Sequence, residues 1–385
     1  MSNFRLALEI DGDGAHPAAW RRANHAPNAL LTPRRVRDTA RIAENAGFTL
    51  VTLDDDLLPP GAAPNIAGRI GSVERAAYIA AATTVLGVAP VVSTTYAEPF
   101  HVSSQLASID HISNGRAGWV VSTSPAPAAA RAWGRPVVAG EADQAREARD
   151  SVHVARDLWD SWEDDAVIRD VATSRYLDRD RLHYIDFTGD TFAVKGPAIV
   201  PRPPQGQLVV LAPAALLPPD EADVSLITAP TLATLRASAA TTGTPRTFAD
   251  LEVALDTPTT PAATRLADLD QHTPWPGTDR LRYIGPPAGL IDLITDLADI
   301  VDGVRLHPLV LDEDITVLSR LVLPALFRAR TAQRPLPGST LRATLGLPRP
   351  TNRFASPDRF ASPNRFASSD RFASSDRVAS TRSAR

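Results

Sequence analysis

The 385-residue chain contains no cysteine. Disulfide staples, thiolate metal sites and cysteine nucleophiles are thereby excluded. There is one lysine, Lys195, against 39 arginines. That bias, with the abundant alanine, reflects a GC-rich genome rather than a function. No uninterrupted run of 18 apolar residues occurs, so no membrane-spanning helix is expected. The opening MSNFRLALEIDGDG has a short apolar run broken by acids, which does not read as a signal peptide. The expectation is a soluble, cytoplasmic protein. Neither GxGxxG nor a Walker A motif is present, so dinucleotide and P-loop readings lack their phosphate cradle. The eight histidines form no HxxxH or HExxH pair. Asp54, Asp55 and Asp56 are adjacent, but neighbours at a strand end point to different faces, so no metal is expected there. A net charge of −4 argues against a nucleic-acid partner.

The composition is that of a globular protein, at 44% apolar and 22% charged. A chain of this length buries roughly 75% of its unfolded surface and needs no staples. The last 33 residues differ. From Arg353 they read RFASPD, RFASPN, RFASSD, RFASSD and RVASTR, too polar and too rich in serine and proline to build a core. The expected organisation is one folded domain over 1–352 and a disordered, dispensable tail over 353–385.

Strand-like and helix-like segments alternate in the first half. Phe4–Ile10, Phe48–Leu53, Leu86–Ser93 and Ala117–Ser122 read as strands. Pro33–Ala46, Val73–Thr84, Ser103–Ile109 and Ala145–Trp162 read as helices, the first with Thr32 at its N-cap and Gly47 past its end. This βαβα order implies a parallel sheet under helical cover. Periodicity does not separate an open doubly wound sheet from a closed barrel. Residues 167–206 form a polar, aromatic and then proline-rich excursion. Gln207–Ala212 is a strand. The stretch from Pro213 to Pro261 shows only weak helix signals. Leu281–Ile284, Gly289–Leu297 and Gly303–Leu309 read as strand, helix and strand, followed by an amphipathic helix over Val317–Arg328.

Four runs carry a resemblance. They are TTYAEPFHVSSQLASIDHISNGRAGWVVSTS (94–124), LWDSWEDDA (158–166), the GP-x₃-PRPPQG run (196–206) and LRATLGLPRPTNR (341–353). Together they resemble the flavin-dependent monooxygenases related to nitrilotriacetate and dibenzothiophene-sulfone monooxygenases, within the bacterial luciferase-like superfamily. The resemblance implies a (β/α)₈ TIM barrel with insertions. It implies reduced FMN at the C-terminal mouth of the barrel, supplied by a separate flavin reductase, and oxygenation of a small organic substrate. The deazaflavin F420, which some luciferase-like barrels bind, is the alternative cofactor. A homo-oligomer is expected.

On the family's pattern, Asp55 ends the second strand as a flavin-binding acid, and Thr94 and Thr95 follow the third as flavin contacts. His101, in the EPFH run, is the candidate catalytic proton carrier. Other positions depart from the pattern. Val120 stands for an asparagine, Glu141 for a histidine and Ala145 for a tyrosine. Ala214 and Ala215 stand for the paired serines that hold the flavin phosphate, and Pro218-Pro219 follow in a shortened segment. These departures support a second expectation, a non-catalytic or degenerate barrel that binds flavin weakly and serves as a supporting subunit.

Overall fold

A computed structural model describes residues 4–10, 12–58, 68–275 and 277–355. The chain begins with β1 (Arg5–Glu9), α1 (Pro33–Ala46), β2 (Leu50–Leu53), α2 (Ser72–Ala82), β3 (Gly87–Ser93), α3 (Pro99–Ser113) and β4 (Gly118–Ser122). Next come α4 (Pro127–Trp133) and α5 (Glu141–Asp160). The excursion is two antiparallel hairpins, β5 (Val167–Asp170) with β6 (Arg175–Leu177), and β7 (Ile185–Thr188) with β8 (Ala193–Gly196). The chain then runs through β9 (Val209–Pro213), β10 (Val224–Ile227), α6 (Leu232–Thr242), β11 (Arg246–Leu255), α7 (Ala262–Asp270), β12 (Leu281–Gly285), α8 (Pro287–Leu297) and β13 (Gly303–Pro308). It closes with α9 (Leu311–Val317), a π turn at Leu318–Val322, α10 (Leu323–Ala329) and the short α11 (Leu341–Thr344).

Eight strands pair in parallel in the order β1, β2, β3, β4, β9, β10, β11 and β13, and β13 returns to β1. The ring is closed, so the barrel is the correct alternative and the open sheet is not. β12 stands outside the ring, paired with the upper half of the ten-residue β11. Because every ring strand points the same way, the chain after Leu53, Ser93 and Ser122 emerges at one mouth.

Alternation along the strands sorts side chains to two cores. Leu6, Leu8, Val51, Leu53, Val121, Val210, Leu251, Val253, Val304 and Leu306 point outward under the helices. Ala7, Leu50, Ala89, Val91, Val120, Val209, Leu211, Val224, Leu226 and Phe248 fill the lumen. Leu341, Leu345 and Leu347, around α11, plug the lower end. Gly87 makes that plug fit, since a Cβ there would stand 2.9 Å from both the Leu341 side chain and the Leu50 Cβ. Arg116, buried below the barrel, donates to the carbonyls of Ala80, Thr83, Leu86 and Ser113 and ties α2, β3 and α3 together.

Three expectations are corrected. The stretch 213–261, read as weakly helical, holds two ring strands, β10 and β11, beside α6. Charges at alternate positions of β11 disguised it: Asp250 and Glu252 face the lumen while Leu251, Val253 and Leu255 face the helices. The amphipathic helix begins at Leu311, not Val317. Thr32 sits at the N-cap of α1, but its hydroxyl donates to Ala29 O at 2.7 Å and caps nothing. Most of the repeat tail, 356–385, lies outside the described residues. Arg353–Ala355 lie within them, and Phe354 packs on a cluster that includes Leu158, Trp162 and Ile185.

Candidate active site

The upper ends of the ring strands enclose a cavity of about 340 Å³. Its lining has two unlike halves. Val91 of β3, Val120 of β4, Pro213 of β9 and Leu226 of β10 form an apolar wall. Glu9 of β1, Asp54 after β2, and Arg305 and His307 of β13 form a charged wall, with Arg280 reaching in from before β12. The division follows the inward rows of the strands: apolar along β3, β4, β9 and β10, and ionisable along β1, β11 and β13.

The charged wall is tied together. Arg305 holds Asp250 with two parallel bonds, Nε to Oδ1 at 2.7 Å and Nη2 to Oδ2 at 2.6 Å. Both side chains are buried. Burial alone would raise the Asp250 pKa, but the Arg305 guanidinium beside it holds the carboxyl well below the usual carboxylate range. His307 Nε2 stands 3.5 Å from Asp250 Oδ1 and makes no full hydrogen bond. Burial pushes the His307 imidazole down to about 4, so it is neutral at pH 7. Glu252 is the second buried anchor. It accepts from Arg282 Nε at 2.8 Å and Thr278 Oγ1 at 3.1 Å, with Arg280 Nη1 at 3.5 Å. Arg282 also covers the Trp275 ring at 3.7 Å. Glu9 accepts from Thr52 Oγ1 at 2.6 Å and from Asp54 N–H at 3.0 Å. The result is a rigid polar rim facing an apolar wall, suited to a flat group with one hydrogen-bonding edge.

The residues singled out from the sequence are spread around this mouth. Asp55 and His101 line a neighbouring cavity of about 530 Å³ between α2 and α3. Asp55 Oδ2 accepts from Ser72 N–H at 2.6 Å, capping α2 from the adjacent strand end. His101 is exposed on the first turn of α3. The Thr94 and Thr95 side chains are buried. Thr94 Oγ1 donates to Ser122 O at 3.1 Å, and Thr95 Oγ1 accepts from Ser124 N–H at 3.2 Å. Both hydroxyls therefore clip the end of β3 to the end of β4. Val120 is in the apolar wall of the mouth. Glu141 opens α5 and is exposed, and Ala145 lies one turn further along that helix.

The connection from β9 to β10 contains no helix. Residues 214–223 are a run of turns, with Leu216 N–H on Pro213 O at 2.9 Å and Glu221 N–H on Pro218 O at 3.0 Å. Ala214 and Ala215 are exposed and carry only methyls. The Ala214 N–H is engaged with Leu226 O at 3.1 Å. A phosphate at this corner would find no hydroxyl and no helix N-terminus. The residues present do not fit a tightly held FMN phosphate there.

Sequence reasoning missed Asp250, Glu252, Arg280, Arg282, Arg305 and His307. The available signal was period-two alternation of ionisable with apolar residues in FADLEVAL (248–255) and GVRLHPLV (303–310), and of the two arginines in RLRYIG (280–285). On a surface strand that pattern means a solvated face, and only ring closure turns the face inward.

Comparison with known proteins places the chain among relatives. The sequence profile of the luciferase-like monooxygenases matches residues 15–265. N-acetyl-S-(2-succino)cysteine monooxygenase of Bacillus subtilis (strain 168) is 34% identical over 209 residues, 54% of this chain and 47% of that protein. Nitrilotriacetate monooxygenase component A of Aminobacter aminovorans is 31% identical over 221 residues, 54% of this chain and 49% of that protein. The chain spans about half the length of the curated relatives it matches. The crystal structure of a long-chain alkane monooxygenase shares the fold, with a TM-score of 0.77 at 20% identity over 90% of this chain and 96% of that one.

Proposed function

The chain belongs to the luciferase-like monooxygenase family, and from that premise we propose that it is an FMNH₂-dependent monooxygenase of a small organic substrate that takes up its flavin loosely. The observation that carries the proposal is the two-walled mouth: an apolar half from β3, β4, β9 and β10 against a charged half built on Asp250, Arg305 and His307. Val91, Val120 and Leu226 offer the flat apolar surface that a flavin ring requires. His307 and Arg280 offer polar atoms at its edge. Thr94 and Thr95 serve the site by fixing the strand ends that form the apolar wall. Asp55 braces the entrance to α2, and His101 stands exposed at the adjoining cavity as the candidate proton carrier. Flavin chemistry would activate oxygen; the chain itself holds the ring, limits water and sets polarity at the edge.

Loose uptake follows from the β9–β10 corner, where hydroxyls and a helix are lacking. It suits a flavin delivered reduced by a separate reductase and released after turnover. The name "component A" of one relative supports a multicomponent arrangement. Among the described residues no helix is long and apolar enough to cross a membrane.

The same corner favours a second reading, a supporting subunit that does not turn over. Titrating the purified protein with FMN, anaerobically with FMNH₂, and with F420 separates the two. Saturable FMNH₂ binding, with substrate-dependent oxygen uptake when a flavin reductase is added, supports the monooxygenase. Absence of binding by either flavin state leaves the supporting subunit. Preference for F420 would overturn both.

A further inference from the structure

Below the barrel, a seat receives the residues that follow the α11 plug. Asn352 is buried there, and its Nδ2 donates to Asp160 O and Trp162 O, both at 2.8 Å. Its Oδ1 accepts from Phe354 N–H at 2.8 Å. The Phe354 ring lies flat on His183, with centroids 4.8 Å apart and planes 10° from parallel. Arg353 pairs with Asp157, and its N–H donates to Asp160 Oδ2 at 3.3 Å. Ala355 N–H closes the turn on Asn352 O at 3.2 Å.

The four residues that fill this seat, Asn-Arg-Phe-Ala, occur again as Asn364-Arg365-Phe366-Ala367, outside the described residues. The other two Arg-Phe units follow aspartates, Asp358 and Asp370. We infer that the seat is a docking site for the Asn-Arg-Phe-Ala motif, and that residues 364–367 of the same chain exchange with 352–355 in it.

The asparagine decides which units fit. An aspartate has no N–H for the carbonyls of Asp160 and Trp162, so both would lose their partner. Its charge would also stand beside the buried Asp160 carboxylate. The arginine decides little, because Arg353 is about half exposed and its ion pair is screened. The phenylalanine supplies stacking and apolar burial in either kind of unit. Moving from one asparagine unit to the other shifts the chain by twelve residues. The entropy of closing the longer loop changes only slowly with length. A tethered unit is present at a millimolar-scale effective concentration, which favours the chain's own tail over a second copy.

The absence of cysteine makes the test direct. In the full chain, Asn352→Ala with Phe354→Ala empties the seat. Asp157→Cys with Arg365→Cys is treated with a short bismaleimide, and the within-chain product is followed by mass spectrometry. Asp157→Cys with Arg359→Cys, in the same emptied background, is the comparison. Asp157→Cys with Arg353→Cys in the otherwise unchanged chain sets the full rate. Crosslinking at 365 should exceed that at 359 by about tenfold or more, the ratio expected for two orphaned carbonyls. Asn364→Asp should abolish the preference, and Asp358→Asn should confer it on 359. Equal rates at the two positions, indifference to the exchange of Asn and Asp, or a product found only between chains would overturn the inference.

Discussion

Asp110 gives the sharpest test of how this barrel is held at its lower end. It lies near the C-terminus of α3, fully buried. Its Oδ1 accepts from Ala117 N–H at 3.1 Å and from Gln205 Nε2 at 2.6 Å, and its Oδ2 accepts from Gln205 N–H at 3.4 Å. Burial raises its pKa from 3.8 to about 7, outweighing those hydrogen bonds and the more distant Arg342 charge. The unfolded chain ionises this group at its ordinary value. Between about pH 4 and pH 7 the folded state therefore keeps a proton that the unfolded state has released. Stability contributed by the group falls as pH rises through that window and is level above it. At about 1.4 kcal/mol per pKa unit, the whole loss is about 4 kcal/mol. Asp110→Asn removes the titration, and its carbonyl oxygen still accepts from Ala117 and Gln205. Urea unfolding of parent and variant from pH 4.5 to 8.5 isolates the effect, because other titrating groups cancel in the difference. The variant should gain on the parent as pH rises, by up to about 4 kcal/mol, and hold that gain above pH 7. A difference that is flat with pH, or that widens toward acid, would refute the burial argument.

Ala214→Ser with Ala215→Ser should tighten FMN binding by about tenfold, the worth of one hydrogen bond to a charged group, read by flavin fluorescence. Unchanged affinity would show that the phosphate lies elsewhere. Arg305→Met removes both hydrogen bonds to the buried Asp250 carboxylate, leaving it the longer Arg280 contact at 3.8 Å, and should cost about 3 kcal/mol in chemical denaturation; Arg305→Met with Asp250→Leu should recover most of it, and failure to recover would mean that the pair is needed for folding itself. Gly87→Val should destabilise by about 1–3 kcal/mol through collision with the plug, and Leu341→Ala in the same chain should relieve part of that loss rather than add to it. A chain ending at Ala355 should melt with the parent, whereas one ending at Thr351 should melt several degrees lower; coincident melting of all three would show that the seat carries no stability.

The site was legible in the sequence only where local chemistry is enough. Pro33 with Gly47 bounded α1 correctly, because a fixed φ at the first turn and a left-handed residue past the last are local requirements. β2, β3 and β4 were legible as apolar β-branched runs, which any parallel strand buried on both faces must have. The alanines at 214 and 215 put only methyls at the β9–β10 corner, and a methyl cannot donate a hydrogen bond in any fold. The missing helix after β9 is the tertiary form of the same shortening.

What the tertiary structure alone decided is which way the alternating rows face. GVRLHPLV reads as a strand, whereas FADLEVAL lies in a stretch with only weak helix signals, and nothing in the sequence of either says that their ionisable positions share one face. Closing eight strands puts Asp250, Arg305 and His307 in contact although 55 residues separate the first pair. Inside the ring the dielectric is low, so the same charges that would be solvated on an open sheet must pair, shift their pKa values and form the rim of the mouth. Sequence determined most of the elements, β10 and β11 excepted, and the chemistry each could carry; ring closure, a long-range pairing of β13 with β1 and β11, determined which of those chemistries meet.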